Sequence, residues 1–250
     1  MKRRKCLAAG WTAVVVWVAQ ATAAPPAAPP VSKIAPAADL VTQLDGYIED
    51  LEESVEDEAE YNDSKDKLVK DASTLALIAV ALGLHDEENK YRRAAPGLLE
   101  AAKKVAAAET YAQAKAAVAA LKAALASQGD PSTLSWANKN ASMPALMKAV
   151  PLVNTRIKRY MRRFSRYANR VASYSAVLAV IGQGSMPNAS DTEKPNEVDK
   201  WYAFCAEMRD AAAALNVACH AEDEAAAEKA MAALQKSCDA CHEVFHEEEL

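Results

Sequence analysis

Glycine and phenylalanine are scarce in this chain, with 7 and 3 of its 250 residues, while alanine dominates several stretches. Glycine is the residue that tight turns need most, and alanine is the strongest helix former. A composition of this kind is typical of an all-α protein and argues against a sheet-based fold. The length suits one large domain or two small ones.

An excess of positive charge is also absent, because the formal net charge is −5 at pH 7. A protein that binds nucleic acid needs cations to neutralise the phosphates. We therefore expect no nucleic-acid partner.

A long hydrophobic run is missing as well. The apolar stretch from Leu7 to Ala19 is too short and too early to cross a membrane. It follows a basic segment over residues 2–5 and precedes Ala21-Thr22-Ala23, a small-residue cleavage pattern. We predict a signal peptide over residues 1–23, cleaved after about Ala23, and a periplasmic mature protein without stable membrane insertion. The alternative is an uncleaved anchor.

Two of the five cysteines form the pattern Cys238-Asp239-Ala240-Cys241-His242, and C-x-x-C-H is the attachment motif of c-type haem. The two thiols form thioether bonds to the haem vinyl groups, and the imidazole supplies a neutral nitrogen ligand to the iron. On a helix these spacings place all three side chains on one face. The motif predicts one covalent haem c, attached at Cys238 and Cys241, with His242 as an axial iron ligand.

Two other readings of the motif remain open. A redox C-x-x-C usually opens a helix within a βαβ pattern, which this chain lacks. A zinc site needs a second Cys/His pair at matching spacing, and Cys205, Cys219, His220 and His246 do not form one. Export also favours haem, which is joined to this motif outside the bacterial cytoplasm.

Cys205 and Cys219 are predicted to lie on one helix, about 21 Å apart along its axis. That separation is too long for a disulfide bond between them. We predict that both are buried as small apolar residues. Cys6 precedes the apolar run of the signal peptide and leaves with it.

Helical periodicity begins after an Ala/Pro-rich segment over residues 24–37, which predicts an extended linker. Two series of four helices follow, over residues 38–130 and 142–250, and short loops make the helices of each series antiparallel neighbours. We therefore predict an all-α protein of two tandem up-down four-helix bundles. Within the first series, His85 is expected to be a solvated helix-end residue, and Pro96 is expected to kink the third helix.

An internal duplication would explain the two series. Ala72-Ser73, Ala76 and Ala79-Val80 recur 100 positions later as Ala172-Ser173, Ala176 and Ala179-Val180. Alanine-rich helices match easily by chance, so the parallel order of four helices is the better argument. The first series carries Leu125, Gln128 and Gly129 at the positions of the C-x-x-C-H residues. It is therefore predicted to hold no haem.

Residues 142–250 resemble cytochrome c′ and its low-spin relatives, which are exported four-helix bundles with one haem near the end of the last helix. The C-x-x-C-H motif, Phe245 at the family's aromatic position, and Ala211–Leu215 followed by Asp223 carry the resemblance. It implies that Phe245 packs against the haem. A basic residue often follows the aromatic in the family, whereas His246 stands here.

In the family, a residue of the first helix faces the open side of the iron. A methionine there gives six-coordinate iron and electron transfer, and an apolar non-ligand gives five-coordinate iron that takes a small gas. Met147 is our candidate sixth ligand, with Met161 second, and Leu146 over an open iron is the competing arrangement. Each methionine could equally be core packing.

Two charged stretches occupy the first helical regions of the two series. Nine acids and no base lie within residues 45–60, and seven bases and no acid lie within 156–170. They are either two solvated faces or surfaces that dock one bundle on the other. The bases could instead offset haem propionates or guide an acidic redox partner.

The expected function is single-electron transfer in the periplasm, with haem, iron and a redox partner protein as cofactor and partners. The alternative is a gas-binding haem module whose likeliest ligand is nitric oxide. A second copy of the chain is a further candidate partner, forming a homodimer. A peroxidase would need a distal acid–base group, and no histidine lies on the first helix of the second bundle. We therefore expect no enzymatic activity.

Overall fold

A computed structural model describes residues 24–245 of the protein. The predicted signal peptide, Cys6, the cleavage site and His246 lie outside the described residues. Within residues 24–245 the chain forms nine α-helices, two short 3-10 helices and no strand, which confirms the all-α prediction. In this part of the chain no helix combines the length and the apolar character that crossing a bilayer requires.

Five helices lie in the first part of the chain and four in the second. In order they are α1 (Val31–Ile34), α2 (Ala37–Glu53), α3 (Tyr61–Leu84), α4 (Ala95–Ala106), α5 (Tyr111–Ala124), α6 (Met143–Met161), α7 (Phe164–Ser185), α8 (Val198–His220) and α9 (Glu224–Phe245). The 3-10 helices are Pro131–Thr133 and Met186–Asp191.

Local sequence explains where several helices begin. Thr110 and Gln113 form a capping box at the start of α5, and the Asp223 carboxylate accepts from the backbone N–H of Ala226 at the start of α9. Pro96 lies in the first turn of α4, where its missing N–H has no intrahelical partner to lose. The predicted kink at Pro96 is therefore wrong, and this proline helps to start a helix.

The predicted linker and His85 also differ from expectation. Residues 31–34 of the segment predicted to be extended form α1, whose Val31 and Ile34 are buried against the core. His85 is fully buried: its Nε2 bonds the carbonyl of Ala35, and its Nδ1 accepts from the backbone N–H of Glu87. The prediction that His85 is exposed to solvent is therefore wrong, because α1 covers the end of α3.

Sequential helices pack as neighbours in both parts of the chain, α2 to α5 and α6 to α9. Helices α2 and α3 of the first part also pack against α6 and α7 of the second part, mainly α2 with α7 and α3 with α6 and α7. The buried residues form one continuous main core that runs through both parts. The repeated alanines of α3 and α7 all lie in this core, where their small side chains permit close packing. The duplication itself stays a prediction.

The first and last helices of the second part stand apart. α6 packs on α7 and α9 packs on α8, whereas α6 and α9 make few close approaches within the described residues. α7 and α8 are by contrast very close at Gly182, where an added Cβ would lie 2.8 Å from the backbone nitrogen of Arg209. This arrangement leaves a cleft between α6 and α9 whose floor is α8.

Candidate functional site

The C-x-x-C-H motif lies in the last two turns of α9. Cys238 and Cys241 are half-buried free thiols, and both line the cleft together with His242. The three side chains therefore share one face of α9, as the spacing predicted.

The cleft has a volume of about 310 Å³ and is walled by α6, α8 and α9. The α8 wall consists of Trp201, Phe204, Cys205 and Met208, which are one helical turn or less apart. Because helices in this part of the chain alternate in direction, the start of α6, the end of α7, the start of α8 and the end of α9 meet at one end of the bundle. All four of these ends contribute to the cleft, since Ser185 at the end of α7 also lines it.

The helical phase of α6 decides which of its residues face the motif. The residues that line the cleft follow the i, i+3, i+4, i+7 pattern of a single helix face: Met147, Val150, Pro151, Asn154, Thr155 and Lys158. Leu146 points away from this face and is fully buried in the main core. Met161 packs against the main core at the end of α6 and is not part of the lining. Of the predicted distal residues, Met147 is therefore the one that the structure places in the cleft.

An aromatic cluster closes the end of the cleft beside the motif. Phe245 is buried edge-on against Trp201, with ring centroids 5.4 Å apart, and against Phe204 at 6.2 Å. The indole N–H of Trp201 donates to the carbonyls of Ser185 and Met186, at 3.1 and 3.2 Å. Phe245 packs in a second apolar cluster that includes Met143 and Met186, and its contact with a haem stays a prediction.

Electrostatics distinguish this motif from a redox C-x-x-C. Burial raises the pKa of Cys241 to about 11, with the neighbouring Cys238 adding to the shift, and burial also raises the pKa of Cys238. Reactive cysteines usually lie at a helix N-terminus, where the dipole lowers the thiol pKa. Here the thiols lie at a helix C-terminus and keep their protons. The geometry therefore does not favour thiol–disulfide chemistry.

Two polar atoms at the cleft have no hydrogen-bond partner. The Asn154 Oδ1 and Ser185 Oγ atoms are buried and unpaired, and both residues line the cleft. Buried polar atoms are normally paired, so unpaired ones in a cavity are consistent with a ligand that completes the site. Apolar walls, two thiols and one imidazole on a single face fit a covalent haem, with Cys238 and Cys241 to hold it and His242 to ligate its iron. Among the described residues, no cluster of three or more His, Cys, Asp or Glu side chains could hold a bare metal ion.

Sequence reasoning missed part of this site. Cys205 is buried in the α8 wall, as predicted for a small apolar residue, but the thiol lies at the cleft and close enough to Cys241 for the two to interact. Met208 is a second sulfur ligand candidate on the same wall. The i, i+3, i+4, i+7 spacing of Trp201, Phe204, Cys205 and Met208 was a signal that could have revealed this wall. Cys219 is buried elsewhere, and burial raises the pKa of its thiol to about 12.

The two charged stretches meet only across a second cleft, of about 950 Å³, between α2 and the α6–α7 pair. Glu49, Asp50 and Glu53 line one side. Arg156, Arg159 and Arg170 line the other side. Within residues 24–245 the arginine ion pairs are Arg92 with Glu88 and Arg209 with Asp210, so no ion pair joins the two sides. The two charged stretches therefore face each other without a direct ion pair among the described residues, and their role in docking the two parts stays a prediction.

Comparison with known proteins agrees with the C-terminal resemblance. The family model described as Cytochrome C′ matches residues 156–246, which include α7, α8 and the whole C-x-x-C-H motif. No curated protein and no solved structure matches the chain.

Proposed function

Because residues 156–246 match the Cytochrome C′ family model, we propose that the protein holds one covalent haem c and transfers single electrons in the periplasm. Cys238 and Cys241 anchor the haem and His242 is the proximal ligand. Met147 is the sixth ligand. The observation that carries this proposal is the position of Met147 in the same cleft as the three motif residues.

The bound haem supplies an iron couple that gains or loses one electron. The chain sets the conditions for that exchange through the axial ligands, burial and neighbouring hydrogen bonds. Trp201, Phe204 and Phe245 keep water from one end of the cleft. A thioether ligand such as Met147 raises the potential of the iron relative to an open position.

Absorption spectra of the full chain, matured with haem, test the proposal. A low-spin reduced spectrum that carbon monoxide does not change would support six-coordinate iron. Met147→Ala should then give a high-spin spectrum that shifts with carbon monoxide, while Met161→Ala, on the same helix but away from the cleft, should leave the spectrum unchanged. If Met208→Ala opens the iron and Met147→Ala does not, the ligand assignment is wrong.

A gas-binding module is the second candidate, and Asn154 favours it. Its side chain faces the cleft with an unpaired Oδ1, seven residues or two helical turns from Met147. Its amide N–H is a donor of the kind that stabilises a small ligand on iron. A high-spin reduced spectrum of the unmodified protein that shifts with carbon monoxide would make this function the leading one.

We further propose that the protein is not a peroxidase. The α6 wall carries sulfur, aliphatic, amide, hydroxyl and ammonium groups, and none of the described residues on that wall is a carboxylate or an imidazole. General acid–base catalysis at the open side of the iron needs such a group. Peroxide turnover well above that of free haem would contradict this proposal.

A further inference from the structure

The end of α6 and the start of α7 form an exposed cationic corner. We define the arginine corner as Arg156, Arg159, Arg162, Arg163, Arg166 and Arg170. All are solvent-exposed except Arg156, which is partly buried. Within residues 24–245, none of these guanidinium groups lies within ion-pair distance of a carboxylate. Six arginines therefore lie within 15 consecutive residues without an ion pair to a described carboxylate.

Tyrosines hold several of these guanidinium groups in place. Arg159 and Arg170 both donate to the Tyr160 hydroxyl at 3.2 Å, and both lie over its ring. The ring of Tyr160 stacks on Tyr174, with centroids 5.9 Å apart and planes 9° apart. Arg156 lies over the Tyr174 ring at 5.6 Å. Aromatic rings orient arginine without neutralising it, so the side chains lose less entropy when a carboxylate binds.

The arginine corner lies beside the haem cleft. Lys158, between Arg156 and Arg159, lines that cleft and donates to Gln235 of α9 at 3.0 Å. Along α6, Lys158 is about 16 Å from Met147. A molecule bound at the arginine corner is therefore adjacent to one end of the cleft.

The acids of α2 determine from which side a negatively charged partner approaches. Glu49, Asp50 and Glu53 lie across the second cleft from Arg156 and Arg159. They repel an acidic surface there, while no acid lies within residues 156–170 themselves. An acidic partner is therefore directed toward the side of the arginine corner that borders the haem cleft.

We propose that the arginine corner docks an acidic surface of the protein that exchanges electrons with this one. The inference rests on the proposed electron-transfer function for the identity of the partner, but the docking surface stands on its own geometry. Guanidinium groups bind carboxylates through paired hydrogen bonds, and complementary charge accelerates encounter. The class of partner is thus an acidic periplasmic redox protein.

Binding of poly-L-glutamate by the full-length haem protein tests the surface without relying on electron transfer. We expect salt-sensitive binding that weakens by about tenfold or more in the triple variant Arg159→Glu, Arg162→Glu, Arg163→Glu. The matched control reverses three exposed lysines of α4 and α5, Lys104→Glu, Lys115→Glu and Lys122→Glu, and should bind as the parent does. Equal loss in both variants, or no loss in either, would overturn the proposal. If the triple variant does not fold by circular dichroism, the corresponding glutamine variant replaces it.

A second readout relates the surface to the haem. Oxidation of the reduced haem by the ferricyanide anion should slow in the triple variant, and reduction of the oxidised haem by hexaammineruthenium(II), a cation, should accelerate. Poly-L-glutamate binding without a reducible haem would leave the docking surface intact and refute the proposed function. Two other results would refute the docking proposal. The first is a salt-sensitive dimer, detected by sedimentation, that is lost in the triple variant. The second is binding to phosphatidylglycerol vesicles without binding to poly-L-glutamate.

Discussion

At the scale of single residues, Asp39 is the most connected buried charge in the described structure. It belongs to α2, yet its carboxylate accepts from Ser173 of α7 at 3.1 Å, and from Asn216 and His220 of α8 at 2.7 Å each. The side chain is 9% exposed. One carboxylate of the first part of the chain therefore joins two helices of the second.

Asp39→Ala should lower the free energy of unfolding by about 2–4 kcal/mol, because it leaves buried donors of α7 and α8 without their acceptor. Chemical denaturation measures this. Glu49→Ala, an exposed acid on the same helix, is the control and should change stability by about 0.5 kcal/mol or less. Equal effects of the two substitutions would show that Asp39 contributes no more than a surface acid.

Prediction from sequence succeeded at this scale where the partners are close in the chain. Cys238, Cys241 and His242 could be placed on one face because a helix fixes their spacing. Leu146 and Met147 could not be separated, since the phase of α6 depends on which face packs against α3 and α7. Asp39 was missed because its partners in α8 lie far away in sequence. The burial of His85 was misjudged for the same reason, since its partner lies beside α1.

At the scale of the helix, the contact of α7 with α8 depends on Gly182. An added Cβ would lie 2.8 Å from the backbone nitrogen of Arg209 and 3.0 Å from the carbonyl of Cys205. Backbone atoms cannot rotate away as a side chain can, so α8 must shift. Since α8 carries the Cys205 and Met208 wall of the haem cleft, the shift reaches the site.

Gly182→Ala should therefore destabilise the protein by about 1–3 kcal/mol and alter the haem spectrum. Gly46→Ala in α2 is the matched control, because no atom lies within 4 Å of the added Cβ. That substitution should stabilise the helix by about 1 kcal/mol and leave the spectrum unchanged. Thermal denaturation and absorption spectroscopy of both variants measure the difference, and a stable Gly182→Ala protein with an unchanged spectrum would contradict the expectation.

The docking of α1 is sensitive to acid. The backbone N–H of Ser32 in α1 donates to Asp86 at 2.8 Å, and the Ser32 hydroxyl donates to the same carboxylate. These hydrogen bonds lower the pKa of Asp86 from 3.8 to about 2, the side-chain bond being the larger cause. The folded-state pKa is depressed, so this stabilisation is present above pH 4 and disappears as the pH falls toward 2.

We expect proteolysis by pepsin to cut near α1 more rapidly as the pH falls from 4 to 2. Asp86→Asn, which cannot ionise, should show the same accessibility of α1 at both pH values once the pH dependence of pepsin itself is corrected with a peptide substrate. Equal pH dependence in the two proteins would show that another group controls the docking of α1.

At the scale of the whole molecule, helix order was predictable and the joining of the two parts was not. The periodicity of each helix is a local property, whereas the main core that joins α2 and α3 to α6 and α7 depends on faces that become complementary only after folding. The unbroken apolar runs over residues 75–82 of α3 and 176–181 of α7 were the sequence signal for this arrangement. In the structure, residues 71–83 and 175–186 are buried on every side. A helix that is buried all round must have neighbours on both sides.

This shared core predicts that the two parts unfold together. Helices α3 and α7 each contribute to both parts, so loss of either exposes apolar surface on the other. Heating the full chain should give one calorimetric transition, and the loss of helix signal and of the haem spectrum should coincide. Asp39→Ala should move that single transition to lower temperature without splitting it. The contrary result would be two separate transitions, with the haem spectrum following only the later one. It would show that residues 142–250 are stable without α2 and α3. The first part would then not be needed to maintain the haem cleft.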